Sequence, residues 1–521
     1  ARRVRHGEGK DLSLLVGILP LSELLLGRLH VVAGQAHLAV WRRKVHAEAS
    51  DVDPGIDNPP VTCEINGGDR KVRILVYSGK VQADDKTSIE RKYKAARAAQ
   101  PAWQKQGLPA RLGILKKFRD RVEKDIEEAA LTLTRDTGKP ISQSRNELKG
   151  LLGRFDFFLA ETEKTVATET VLQEGTALVE EIEHEPLGVI ANISAWNYPW
   201  FVGSNVYVPA LLTGNAVLYK PSEFALLSGQ LMARYLHESG VPADVFALIC
   251  GRGDAGAALL EQPIDGVFFT GSVATGRKIA EVAAKKFIKV QLELGGKDPA
   301  YITDDVDVKA AAEATADGAM YNTGQSCCSV ERIYVHERVY EQFVQHFVAT
   351  VKSFRLGNPE SNETYIGALT RGKAALDFLE AQVKDAVKKG AKLLIGGKRA
   401  QTECGVYLEP AVLTEVNHEM EIMRDESFGP VIGIMKVKDD AEAQQLMNDT
   451  EYGLTAAVYC RGQMRAREIL KGVNAGSAYI NCCDRVSPRL PWSGRGVSGV
   501  GLTLSTYGIE TFTRTKAWHV K

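Results

Sequence analysis

"NAVLYKPSEFALLSGQLMARYLHESGVPADVFALIC", residues 215–250, reads as strand, helix and strand. The run 215–220 is short and apolar, as in a strand buried on both faces. The stretch 224–240 has helical spacing and stops at a glycine, and 244–250 is apolar again. A further helix then leads to "GVFFTG" (266–271). Strands alternating with helices in this way imply βαβ units and a parallel, doubly wound sheet.

The pattern extends in both directions. Upstream, "TALVEEIEHEPLGVIANIS" (176–194) reads as strand, turn and strand. Before it, residues 87–106 and 109–138 have helical spacing, with a stop at Gly138 and Pro140. Downstream, a second α/β series runs from "RIYVHERVYEQFVQHFVATVKSF" (332–354) to "LTAAVYC" (454–460). Neither an internal repeat nor a low-complexity linker separates the two series. At 521 residues the chain is long enough for two large lobes or three domains.

Bulk composition narrows the function classes. The chain is 25% charged and 44% hydrophobic with a formal net charge of zero, so it offers no electrostatic case for nucleic acid or an anionic membrane. Its eight cysteines form no C-x-x-C pair, which argues against a disulfide framework and a zinc site; no metal is expected. A reducing setting, intracellular and cytoplasmic, fits this usage. The run "LSLLVGILPLSELLLG" (12–27) contains Pro20 and Glu23 and is too short for a membrane span. Arg2, Arg3 and Arg5 precede it, yet nearby acidic residues argue against a transit peptide. No methionine occurs before Met232, and residues 1–60 are left unassigned, with organelle targeting open.

Two glycine-rich segments compete for a dinucleotide phosphate. "GRGDAG" (251–256) matches G-x-G-x-x-G after an apolar run but lacks a clear acidic partner. "FFTGSVATGRKIAEVAA" (268–284) is favoured, because a strand ends at Gly271-Ser272 and a helix starts almost at once. Backbone N–H groups at such a start, with a serine hydroxyl, suit a pyrophosphate; an ordinary βα turn would look the same.

The chemistry concentrates around "YNTGQSCCSVERIYV" (321–335). Adjacent cysteines are awkward to bridge and poorly spaced for one metal, and the usual fate of a free cysteine is burial. "VQLELGGKDPAYI" (290–302) places Glu293 in an otherwise apolar strand, where a carboxylate is costly unless paired or working. "ISAWNYPW" (193–200) supplies Asn197, and "RDESFGPVIGI" (424–434) supplies Glu426 and Phe428 before a Gly-Pro turn. Each has a structural explanation by itself.

Together with "KPSE", "FTGSVATG", "LELGGKDP", "GQSC" and "NDTEYGLTAAVY", these pieces resemble the aldehyde dehydrogenase superfamily, in its order and spacing, from about residue 85 onward. The resemblance implies two Rossmann-like doubly wound lobes, for cofactor and catalysis, plus a small β oligomerisation arm. The implied divisions are 61–292 for the cofactor domain, with arm strands near 170–189, then 293–495 for the catalytic domain and 496–521 for the returning strand. It implies that Cys327 is the nucleophile, 34 residues after Glu293, and that Cys328 packs without catalytic duty. Asn197 and the Cys327 backbone N–H would hold the oxyanion, and Glu293 would activate water.

For the cofactor, the resemblance assigns Lys220 and Glu223 to the adenosine ribose and Ser272 to the pyrophosphate, with Ser222, Gly271 and Gly276 also in the cofactor set. Trp196 joins this set, Glu426 would hold the nicotinamide ribose, and Phe428 would pack on the ring. A carboxylate at 223 repels a 2′-phosphate, which favours NAD while leaving NADP possible. The implied reaction is oxidation of an aldehyde to a carboxylate through a thioester; a CoA-acylating semialdehyde dehydrogenase and an inactive structural homologue are the alternatives. A homodimer or homotetramer is expected, with 507–521 reading as a strand that pairs 176–189 into a ribbon. "PRLPWSGRGVSGVG" (488–501) departs from the usual Pro-Phe-Gly-Gly turn, so Trp492 takes the aromatic place at the substrate mouth. Arg485 and Arg489 would line that entrance.

Overall fold

The computed structural model describes residues 42–45, 61–67, 70–76 and 81–521, without 176, 401, 403 and 404. The chain divides into Ala1–Gln82 with Gln401–Gly405, and Ala83–Ala400 with Val406–Lys521. In the first unit, Arg42–Val45, Val61–Gly67 and Arg70–Val76 form an antiparallel sheet. The targeting question and the apolar run 12–27 lie outside the described residues. The second unit carries the rest.

Its first sheet has six strands, in the order Gly499–Val500, Lys289–Glu293, Gly266–Thr270, Val189–Ile193, Ala216–Lys220, Phe246–Leu248. All pairings are parallel except that of the short Gly499–Val500 strand. The chain starts at Val189–Ile193, winds outward through two strands, then returns to the other side at Gly266–Thr270. This reversal is a topological switch point, and ligands of doubly wound sheets bind beyond the strand carboxyl ends there. Ile193, Lys220, Thr270 and Glu293 are the last residues of Val189–Ile193, Ala216–Lys220, Gly266–Thr270 and Lys289–Glu293. Helices cover both faces, so Val189, Ile190, Ala191, Val217, Leu218, Val267 and Phe268 are buried whichever way they point. That double burial is why the strands read as unbroken apolar runs.

The second sheet has seven strands, ordered Lys392–Ile395, Ala411–Thr414, Val431–Val437, Val330–His336, Asp298–Ile302, Thr455–Tyr459, Ser477–Ile480. Only the edge strand Lys392–Ile395 runs antiparallel. Tyr301, Tyr334 and Val458 feed the core on one face, while Ile302, Ile333 and Tyr459 feed the other. This is the alternation a pleated strand imposes. Two doubly wound sheets therefore stand in the chain, as the alternation of strands and helices implies.

Local chemistry sets the boundaries. Asp85 caps the helix Lys86–Lys105, accepting from Ser88 N at 2.7 Å. The helical stretch 109–138 divides at Asp125 into Leu108–Lys124 and Ile126–Thr137. Gly138, at φ 77°, ends the second of these, in the left-handed conformation that favours glycine.

A third, three-stranded antiparallel sheet orders Thr513–Val520, Leu178–Pro186 and Glu169–Glu174. The ribbon expected from two segments thus has a third strand. The C-terminal alternation is also shorter than its sequence pattern: Ser505–Glu510 is helical and the strand begins at Thr513. The six residues 507–512 fit a helical turn as well as a strand by their pattern, and Ile509 and Phe512 are held in the core. No helix among the described residues is long and apolar enough to cross a membrane.

Candidate active site

At the switch point the strand ends open onto a cavity of about 860 Å³. Trp196, Asn197, Lys220, Ser222, Glu223, Gly271, Ser272, Glu293, Cys327, Glu426 and Phe428 all line it. Ser272 caps the helix Val273–Lys286. The Phe428 ring stands edge-on to Trp196 at 5.4 Å, and Phe224 lies 6.4 Å from Trp196, giving one aromatic wall. The lining also brings Lys220 and Glu223 into the same cavity as Glu426 and Phe428.

Two departures concern the glycines. Gly276 does not line the cavity: a Cβ there would fall 2.6 Å from Leu294 Cδ2, so this glycine lets the helix pack closely on the neighbouring chain. Gly253 and Gly256 do line it. The two glycine-rich segments are therefore neighbours around one cavity. A search for a single phosphate motif sets them against each other because sequence gives no sign that they meet.

The cysteine loop is built from unusual backbone. Asn322, Thr323 and Gly324 have φ of 53°, 60° and 68°, so three successive residues are left-handed. Such strain persists only where the surroundings fix it, and it clusters at functional sites. Here Asn322 Nδ2 donates to Gln325 O at 2.9 Å, Gly367 N donates to Thr323 Oγ1 at 2.9 Å, and Thr370 N donates to Gln325 Oε1 at 2.9 Å. Asn197 comes from a separate loop, and its side-chain amide makes no hydrogen bond to protein among the described residues. Its backbone is held instead, accepting from Lys139 Nζ at 2.7 Å and Asn322 Nδ2 at 3.1 Å.

On the other side of the cysteine lies a second cavity of about 600 Å³, lined by Arg154, Tyr198, Phe201, Asp484, Arg485 and Trp492 among others. Trp492 is buried and Arg485 is exposed at the rim; Arg489 is not part of the lining. Cys327 and Glu293 line both cavities. Cys328 lines only the second cavity, and its buried Sγ donates to Asp484 Oδ1 at 2.9 Å. The Cys327 sulfur beside it, and then burial, hold the Cys328 thiol far above the usual thiol range.

Burial dominates the electrostatics. It pushes the Glu293 carboxyl up to about 7, against the opposing pull of a Thr503 hydrogen bond and the Arg154 charge. Burial pushes Glu426 up to about 8, helped by nearby Glu331. Desolvation lowers Lys220 from its ordinary value, with Glu223 opposing.

Several side chains that hold the site give no local sequence signal. Lys139 sits in the Gly138–Pro140 helix stop, yet its Nζ lies 2.5 Å from Glu147 Oε2 in a fully buried pair. Glu147 Oε1 also accepts from Trp200 N at 3.0 Å, so this pair props the turn carrying Asn197. Glu331, four residues after Cys327, accepts from Ser427 N at 2.7 Å, Phe428 N at 2.9 Å and Lys297 Nζ at 2.7 Å. It thereby holds Phe428 in a left-handed conformation at φ 51°. Only the unusual burial of charge in apolar runs could have flagged them.

Comparison with known proteins gives this geometry a family. The family model described as "Aldehyde dehydrogenase family" matches residues 76–518. The chain is 35% identical over 446 residues to 3,6-anhydro-alpha-L-galactose dehydrogenase of Streptomyces coelicolor, covering 85% of this chain and 90% of that one. It is similar in structure to an NAD-dependent aldehyde dehydrogenase of Sinorhizobium meliloti, with TM-score 0.81, 33% identity, and 84% and 88% of the two chains covered. An NADP-dependent enzyme of Escherichia coli superposes with TM-score 0.82 at 28% identity, covering 86% and 92%. Sequence and fold agree along the same stretch of chain, and on that agreement the protein belongs to the aldehyde dehydrogenase family.

Proposed function

We propose that the protein oxidises an aldehyde to a carboxylate with NAD, through a thioester on Cys327. The observation that carries this reading is that Cys327 and Glu293 line both cavities, so one sulfur and one carboxylate face cofactor and substrate sides together. Cys327 attacks the aldehyde carbon, and the oxyanion falls to the Asn197 amide and the Cys327 backbone N–H. Bound NAD supplies a hydride acceptor for collapse of the thiohemiacetal to a thioester. Glu293 then takes a proton from the water that hydrolyses the thioester, and a carboxyl held near 7 suits a base working at neutral pH. A CoA-acylating reaction needs no such base.

The lining of the first cavity suits a dinucleotide. Lys220, Ser222 and Glu223 would hold the adenosine ribose, with Gly271 and Ser272 beside the pyrophosphate. Glu426 would take the nicotinamide ribose, while Trp196 and Phe428 flank the ring. Glu223 favours NAD, and Lys220 with Ser222 leaves NADP usable. The names of the Sinorhizobium meliloti and Escherichia coli relatives support use of both in the family. We assign cofactor binding to 61–292, catalysis to 293–495 and the returning strand to 496–521. The free thiols of the described cysteines suit a reducing cytoplasm, and we place a homodimer or homotetramer there.

The test is NAD(P)H absorbance on mixing the protein with NAD or NADP and a panel of aldehydes, with and without CoA. Reduction with NAD, independent of CoA, is expected. No reduction with any aldehyde, or strict dependence on CoA, would overturn the reading.

A further inference from the structure

Three arginines are buried among the described residues, and two are tied by several hydrogen bonds to backbone carbonyls. Arg111 donates to Leu212 O at 2.8 Å and Gln104 O at 2.8 Å. Arg332 donates to Lys297 O at 2.8 Å, Leu446 O at 3.1 Å and Met447 O at 3.0 Å. Arg154 is different. It is 4% exposed, stacks at 3.8 Å on the Phe201 ring, and makes one hydrogen bond, from Nη1 to Asn205 Oδ1 at 2.7 Å. No carboxylate lies within ion-pair distance of it among the described residues. It lines the second cavity, on the far side of Cys327 from the cofactor.

A buried guanidinium with donors to spare is costly unless an anion arrives to meet it. The carboxylates around this cavity are already engaged. Glu147 is paired with Lys139, Asp317 accepts from Tyr365, and Asp484 accepts from Cys328 and Ser326. Glu293, whose charge acts on Arg154 more than any other, accepts from Thr503. Exposed Lys149 and Arg485 on the same lining add positive charge. We propose that Arg154 binds a carboxylate carried by the substrate, so that the aldehyde oxidised is a semialdehyde with an acid at its other end. This rests on the reading of the second cavity as the aldehyde side. Planar, two-pronged recognition of a carboxylate is the task that a stacked guanidinium performs best.

The test uses pairs of aldehydes that differ only in the terminal group: succinic semialdehyde against butanal, and glutaric semialdehyde against pentanal. Wild type, Arg154→Met and Arg154→Lys are compared, with circular dichroism and NAD binding as checks of folding. The charged-to-neutral ratio of kcat/KM is expected to exceed roughly 10 in wild type. It should fall toward one in Arg154→Met and by less in Arg154→Lys, which keeps the charge and loses the fork. If Arg154→Met does not fold, Arg154→Lys carries the test. A second readout needs no turnover: succinate, and not butyramide, should slow alkylation of Cys327, and Arg154→Lys should weaken that protection. A wild-type ratio near one, equal loss on both aldehydes, or no protection by succinate overturns the proposal. Faster turnover of glyceraldehyde 3-phosphate than of either semialdehyde would give the site to phosphate and overturn the carboxylate assignment. Should no aldehyde be oxidised while succinate still protects Cys327, the proposed reaction fails and the anion site stands.

Discussion

Thr503 Oγ1 donates a hydrogen bond to Oε1 of Glu293, across 210 residues of sequence and inside the buried junction of the two cavities. The same threonine bridges Trp492 through its backbone, N to O at 3.0 Å, so one residue fixes both Glu293, the proposed base, and Trp492 on the second cavity. Its hydroxyl lowers a carboxyl that burial otherwise raises. Thr503→Val keeps the shape and the backbone bridge while removing that donor. The pH at which turnover rises should move from near 7 upward by about one unit, the worth of one hydrogen bond to a charged group. A pH–rate profile that does not move would show that Glu293 is not the group being titrated.

Glu293→Gln separates the two halves of the reaction. A burst of NADH should remain while steady turnover falls by roughly 10²–10⁴-fold, the span usual for a general base. The same variant has a stability signature. The native carboxyl titrates near 7 against an ordinary 4.5, so between these values the folded protein keeps a proton that the unfolded chain has lost. Stability therefore falls as pH rises through that window, and the cost is complete above about 7. Glutamine never ionises. Calorimetry should show the Tm of Glu293→Gln gaining on wild type between pH 5 and pH 8, and a pH-independent difference would remove Glu293 as a titrating group.

The paired cysteines should behave unequally. Cys327→Ala should abolish turnover while NAD binding stays within a few-fold of wild type, because the sulfur is proposed to meet the aldehyde. Cys328→Ala deletes the thiol 2.9 Å from Asp484 and should keep most activity. Steady-state rates and fluorescence titration with NAD decide between them. A dead Cys328 variant beside an active Cys327 variant would reverse the assignment.

How much of this was legible depends on how far each signal reaches along the chain. The unit 215–271 shows its strands because both faces are buried, and its helix because Gly240 ends it at φ 111°. The doubly wound sheets follow from that repetition. Glu293 is visible as a charge in an apolar strand. Thr503, Lys139, Glu147 and Glu331 are ordinary residues in sequence, and what they do depends on meetings such as Glu147 with Trp200, 53 positions away. The glycines mislead for the same reason. Gly276 fits the phosphate pattern yet packs against Leu294, while Gly253 and Gly256 face the cavity beside Lys220.

Thr513–Val520 pairs along its whole length with Leu178–Pro186, and Glu169–Glu174 closes the other edge with every residue exposed. Lys516 bonds Glu185 at 2.7 Å and Trp518 Nε1 bonds Glu183 at 2.8 Å, so the pairing is specified across the strands. Yet Val171, Trp518 and Val520 are 55%, 43% and 50% exposed. Near the base of this sheet, Phe287 is 97% exposed and lines a depression with Tyr507 and Arg514. A thin sheet with bare apolar residues and a free edge is marginal and prone to unwanted pairing unless something covers it. A second copy of the chain is the proposed cover, giving at least a dimer. Removing residues 513–521 should therefore lower the mass seen by light scattering and raise binding of an apolar dye. A full-length chain that remains a stable, active monomer at micromolar concentration would rule this arrangement out.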